Sequence, residues 1–244
     1  MSDNNSSAGN SQDSTLLSLL QAIISRDRST TSRLLAESPG LARQGVKVGA
    51  TREEPNAYFF KEIAHYAYAG DTPLHIAAAA YQRDIAEELV SRGANIRARN
   101  RRGAEPLHYA CDGSPGSDVW NPDAQYVVVE FLIRAGADPN SEDKSGVAPL
   151  HRAVRTRCTA AVRALLTNGA DARRRNKSGS TPLHLAVQNT GRGGSGSAAS
   201  HKEQAKIIRL LLGYGARPSD KDTAGKSVKD CVKGDWILAL LDEV

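Results

Sequence analysis

Four short strings recur along the chain: GDTPLH at 70–75, GAEPLH at 103–108, GVAPLH at 146–151 and GSTPLH at 179–184, offset by 33, 43 and 33 residues. A repeat of this period constrains the fold more than any composition does, because one such unit is too short to enclose a core. Each string carries helix-start chemistry. Thr72 and Thr181 can cap a helix, and the proline behind each slot sits at the first helical position, where its missing amide costs nothing. Leu74, Leu107, Leu150 and Leu183 open an apolar face that Ala77, Ala110, Ala153 and Ala186 continue one turn later. A second helix follows, ending in LVSRGA, LIRAGA, LLTNGA or LLGYGA. There Gly93, Gly136, Gly169 and Gly215 stand where the backbone turns left-handed. Two short helices cannot bury such a face alone, so neighbouring pairs must stack into a solenoid.

These four copies, dense over residues 70–244, resemble the ankyrin repeat. The resemblance implies an all-α repeat solenoid of helix-turn-helix units with β-hairpin fingers. The expected layout is a disordered tail over 1–13 and one solenoid over 14–244. Within it lie an N-terminal cap (14–69), repeats at 70–102, 103–145, 146–178 and 179–224, and a C-terminal cap (225–244). The C-terminal cap puts Lys229 where a core leucine belongs, which suits an outer face meeting water, with Trp236, Leu240 and Leu241 covering the stack.

The register also locates extra residues. From each second-helix leucine (Leu89, Leu132, Leu165, Leu211) to the next repeat's opening glycine is always 14 residues, so the fingers are unaltered. Repeats two and four instead carry 10 and 13 extra residues between their helices, and a third insertion of 22 precedes repeat one. The fourth-repeat insertion contains Gly191, Gly193 and Gly196, spelling a dinucleotide-type glycine pattern. That pattern needs a preceding strand and a helix opening at its last glycine. Here a helix precedes it and the next one is expected to start late, near His201, so the glycines read as a connector. "GKS" at 225–227 lacks the earlier glycine of a phosphate loop, that position being Asp220. The first insertion packs Tyr58, Phe59, Phe60, Tyr66 and Tyr68 into eleven residues. It is expected as a helix sealing the open end of the stack, the alternative being a wall over the concave face.

Catalysis finds no support. His75, His108, His151 and His184 occupy one slot of every repeat, where the resemblance implies a backbone hydrogen bond between units. His65 and His201 have no partners at metal-ligand spacing, and Asp112 and Asp123, flanking a loop, read as solvated carboxylates. Cys111, Cys158 and Cys231 stand far apart in odd number, which suits reduced thiols in an intracellular protein. The N-terminal stretch has no signal-peptide pattern, and no apolar run reaches the roughly eighteen residues of a membrane span. A monomeric cytoplasmic protein with no cofactor and no metal is the expectation.

Charge is more telling. The net charge is +5, and between 152 and 177 eight cations face only Asp171. Fingers one and three are basic, with Arg97 and Arg99 in one and Arg173 and Arg175 in the other. At the turn between helices, where ankyrin-like units usually carry Gly-His, this chain has Tyr81-Gln82 and Arg157-Cys158. The functional reading is a non-catalytic module that binds a protein partner with an acidic surface through its concave face, basic fingers and insertion edge. Matching the slots where ankyrin-like surfaces make contact gives Tyr81, Tyr109, Asp112, Trp120, Arg152, Arg155, Arg157, Gln188 and Asn189, besides the four finger arginines. Trp120 is either a binding anchor or folded back on its own helices. Nucleic-acid binding by the fingers is the alternative, but no stacking aromatics are interleaved with them. A small-molecule enzyme is a second alternative, without a site to support it.

Overall fold

The computed structural model describes residues 5–51, 53, 58–113, 115, 120–188 and 198–242. Two helices, α1 (Asn5–Ile24) and α2 (Arg28–Glu37), open the chain and are followed by a 3-10 turn at Pro39–Arg43. Helix α1 begins at Asn5, so part of the expected tail is helical; once the apolar part forms, each added residue gains a hydrogen bond without a new nucleus. Strands β1 (Phe59–Phe60) and β2 (His65–Tyr66) pair antiparallel, Phe59 opposite Tyr66. The aromatic insertion is therefore a hairpin and not the expected sealing helix. It turns at Ala64 (φ 49°), and the preceding segment is tied to repeat one by Val46 N–H to Asp71 O (2.8 Å) and to the hairpin's exit by Ala50 N–H to Ala67 O (2.7 Å).

The repeats follow as pairs: α3 (Pro73–Ala79) with α4 (Arg83–Ser91), α5 (Pro106–Ala110) with α6 (Pro122–Arg134), α7 (Pro149–Arg155) with α8 (Thr159–Thr167), and α9 (Pro182–Ala186) with α10 (Ala198–Gly213). Every first helix starts on its proline, and the leucines of both registers are fully or almost fully buried. Each such leucine contributes about 2 kcal/mol relative to exposure. Helix α10 starts at Ala198, ahead of the expected His201, while the glycine-rich stretch 189–197 lies outside the described residues. A final helix, α11 (Asp235–Asp242), covers the last repeat with Ile237, Leu240 and Leu241. Trp236, expected in that cover, is 38% exposed and lies against His201 of α10, at the edge of the set because it sits in the first turn of the helix. Lys229 is exposed as expected and pairs with Asp242 at 2.6 Å.

The fingers keep a hairpin course without continuous strand pairing. Their tips are tied by side chains: Asn100, Asp143, Asn176 and Asp222 each accept two amides, from residues two and four further on. Each tip then bonds to the finger before it, as in Lys144 N–H to Arg102 O (2.9 Å) and Thr223 N–H to Ser178 O (3.1 Å). Gly225 of the "GKS" string sits in the last of these turns.

At the other end of each helix pair the glycine slot holds Arg26 (φ 60°), Tyr81 (φ 54°) and Arg157 (φ 62°). A left-handed L-residue costs about 1–2 kcal/mol. Each of these three side chains reaches a carbonyl in the following turn: Arg26 to Ala80 (3.0 Å), Tyr81 to Asp112 (2.5 Å) and Arg157 to Gln188 (2.8 Å). Arg157→Gly should change unfolding free energy by less than about 1 kcal/mol, relief of strain offsetting the lost bond. Tyr81→Gly, which also removes a buried ring, should cost about 3 kcal/mol in the same denaturant titration.

The repeat histidines join neighbouring units as expected. Nδ1 of His75, His108, His151 and His184 accepts the amide of the N-cap residue of its own helix. Nε2 donates to Ala104 (3.1 Å), Val147 (3.0 Å), Ser180 (3.1 Å) and Lys226 (3.4 Å) of the next unit. An accepting Nδ1 requires a neutral ring. Burial holds His75 and His151 below the usual imidazole range, and burial with the nearby Arg152 charge lowers His108 to about 4. Between that value and the unfolded 6.5, the unfolded chain binds more protons, so stability falls as pH drops through the window. Urea unfolding at about pH 7 and about pH 4.5 should differ by roughly 2 kcal/mol from His108 alone, the acid form being weaker.

Candidate functional site

A cavity of about 320 Å³ opens on the side of the first helices, where five segments converge. The hairpin supplies Ile63, His65 and Tyr66, and the α1–α2 turn supplies Ile24 and Arg26. Small Ala79 and Ala80 at the end of α3 leave the room, and Tyr81 follows them in the wall. Asp112, Gly113 and Trp120 come from the second-repeat insertion, and Arg152, Arg155 and Thr156 from the end of α7.

The insertion is anchored by Gln125 of α6, which is fully buried. Its amide donates to the carbonyls of Ala110 (3.0 Å) and Asp112 (3.2 Å), and its oxygen accepts the Trp120 indole N–H (3.0 Å). Gln204 of α10 repeats the device on Ala186 (2.7 Å) and Gln188 (3.0 Å), and Gln82 donates to the Ile23 carbonyl. These glutamines all stand seven residues before the second-helix leucine. That register slot was the available signal for them, and the sequence reading passed over it. Trp120 is accordingly folded back and half-buried, with its ring still lining the cavity.

Asp112 is half-buried and ion-paired, contrary to its reading as a solvated carboxylate, because the groups that meet it come from distant segments. Arg152 Nη1 lies 2.8 Å from it, and His65 Nε2 lies 3.4 Å away. Burial pushes the Asp112 carboxyl up, but Arg152, then His65 and Arg155, outweigh it and hold it at about 2. Arg152 also faces Asp143 at 3.4 Å and packs over the Tyr109 ring. Tyr109 lies beneath, 1% exposed, donating to Asp71 (2.7 Å) and stacked on His65 with ring centres 4.3 Å apart. Tyr109 thus supports the site from below and offers no contact surface of its own.

Of the residues expected to make contact, Tyr81, Asp112, Trp120, Arg152 and Arg155 line this one cavity. Arg157 and Gln188 meet each other one turn further along, and Asn189 lies outside the described residues. The finger arginines stand apart and carry internal partners. Arg97 and Arg99 face the buried Glu105, and Arg97 also faces Asp138 (3.6 Å). Arg173 holds Asp220 (2.6 Å) with two nitrogens, and Arg175 donates to the Lys221 carbonyl (2.6 Å). The cationic run read from the sequence is therefore largely offset by carboxylates and carbonyls from other segments. His65, Arg26 and Arg102 were missed as site residues, whereas the wall weighed as the alternative for the aromatic segment agrees with Tyr66 and Tyr68 in the cavity lining.

Two of the three thiols, Cys111 and Cys158, are buried in a way that disfavours nucleophilic chemistry. Burial pushes Cys111 well up and Cys158 to about 11, so both are protonated near neutral pH. Among the described residues no group of three or more His, Cys, Asp or Glu could hold a metal ion. No helix among them is long and apolar enough to cross a membrane.

The family model for ankyrin repeats (three copies) matches residues 19–119 and again 123–222. The chain is an ankyrin-repeat protein. A comparison with curated proteins gives no significant match. Ankyrin repeats are in general protein–protein interaction modules and typically non-catalytic. In this ankyrin-repeat protein the model's first match begins inside α1, so the α1–α2 pair belongs to the repeat array even without a PLH string.

Removing Arg152 leaves two carboxylates facing each other in a confined space. Arg152→Met should lower unfolding free energy by about 3 kcal/mol, whereas Arg155→Met, at an exposed position, should stay within about 0.5 kcal/mol. Chemical denaturation of the two variants beside the parent checks the contrast.

Proposed function

We propose that this protein recognises a partner protein at the face formed by its first helices, without chemistry, and that the cavity between hairpin, insertion and α7 is the centre of the contact. The convergence of Tyr81, Asp112, Trp120, Arg152 and Arg155 on that cavity carries the reading. Partner recognition is the general use of ankyrin repeats, and a pre-formed surface loses little ordering entropy on binding. Tyr81 and Arg152 are held by their own hydrogen bonds and set the shape, while Trp120 and Arg155 offer ring and charge. The finger arginines Arg97, Arg99, Arg173 and Arg175 form a weaker, salt-sensitive rim, since each already serves an internal acceptor. An acidic partner surface is favoured by the +5 net charge.

The test is affinity capture from a native lysate with the full chain and with a Trp120→Ala, Arg155→Glu double variant of unchanged melting temperature. The expected outcome is at least about a tenfold loss of the captured proteins, since truncating an anchor and reversing a charge each remove substantial binding energy. Equal recovery by both would remove the cavity as the interface.

A further inference from the structure

The cavity's charges are unevenly satisfied. Arg152 is neutralised by Asp112 and Asp143, and its Nε has no acceptor. Arg26, Arg102 and Arg155 are exposed at the same cavity, and none has a carboxylate partner among the described residues. Arg26 spends one nitrogen on the Ala80 carbonyl, and Arg102 lies on the Tyr68 ring (4.5 Å) and donates to its hydroxyl (3.0 Å). Both groups are thereby fixed in place with charge to spare. Against these three stands a single unpaired acid, the exposed Glu62. Arg97, Arg99 and Arg173 on the fingers present the opposite case, since each already holds an internal carboxylate. A guanidinium holding an internal carboxylate must surrender it before taking another, whereas an unpaired one at a partly enclosed surface gains the full interaction.

We infer that the cavity is a receptor for an acidic side chain: a partner segment places an Asp or Glu carboxylate among Arg26, Arg102 and Arg155, with an apolar or aromatic neighbour against Trp120 and Ile63. This rests on the reading that the cavity is the partner contact and adds the chemistry of what enters it. Its volume, about 320 Å³, suits one or two side chains and not a folded element. The guanidinium fork matches a carboxylate in two-point geometry. Asp112 itself is fully engaged and does not repel the incoming group as a free carboxylate would. The acidic partner surface suggested by the net charge is thus narrowed to one carboxylate at one place, with the finger stripe secondary.

The experiment selects a displayed library of random dodecapeptides on the full chain and measures the recovered peptides by fluorescence anisotropy. The enriched peptides are expected to carry an Asp or Glu whose amide variant binds about tenfold more weakly, as does the parent peptide on Arg155→Glu, because a like-charge contact costs more than 1 kcal/mol. Arg173→Glu, Arg175→Glu together should change affinity by about twofold or less. Replacing the peptide's acid by Lys should restore binding to Arg155→Glu. Peptides that depend on Trp120 but tolerate loss of their carboxylate would overturn the acidic receptor and leave the cavity as the contact. Peptides indifferent to both Trp120→Ala and Arg155→Glu, or no enrichment at all, would overturn both readings.

Discussion

Each repeat is fastened to the next by one imidazole. Its Nδ1 closes the start of its own helix and its Nε2 reaches the backbone of the neighbouring unit, so a single neutral ring couples local helix formation to stacking. The rest of the solenoid depends on that coupling, because a short helix pair has nowhere else to bury its leucines. The N-cap position beside the ring can then vary. Thr72 and Thr181 share the ring nitrogen, Glu105 instead draws Arg99 inward, and Ala148 contributes no side-chain oxygen at all. Part of the basic character of the first finger follows from this substitution, since Glu105 needs a counter-charge where a Thr would not.

The insertions of repeats two and four leave that coupling intact because they enter at the opposite end of the helix pair. Repeats two and four keep a glutamine at the slot where the second helix meets the first, and it takes over carbonyls that a tight turn would have satisfied. With the backbone settled, the added residues of repeat two are free to bring Trp120 and Asp112 toward the hairpin. Shape at the candidate site is thus produced by a repeated set of polar bonds carrying irregular chain, and the core is undisturbed.

How much of this could be read in the sequence follows the range of the interactions. Helix starts at each proline, the buried leucines and the place of every insertion depend on local register and the residues expressed them directly, while the histidine bridges came from the family resemblance. The hairpin at 59–66 did not announce itself, because aromatic residues suit a sealing helix and a strand pair equally and the choice depends on contacts with Asp71 and Tyr109. The same limit applies at the site. Asp112 meets His65 and Arg152 across 47 and 40 residues of chain, so its pairing was invisible to spacing. Arg173 and Asp220 likewise lie 47 apart, and a stripe that looked unopposed in one dimension is matched in three.

The left-handed side chains have a mechanical consequence. Arg26, Tyr81 and Arg157 each bond across to the next turn at one end of the helix pairs, while the finger tips bond across at the other. The stack is therefore laced along two parallel rails. Opening or tightening its curvature would stretch one rail against the other, and bonds on both sides resist the bend. Such a superhelix behaves less like a spring than like a braced arch, whose span is set before anything is placed beneath it.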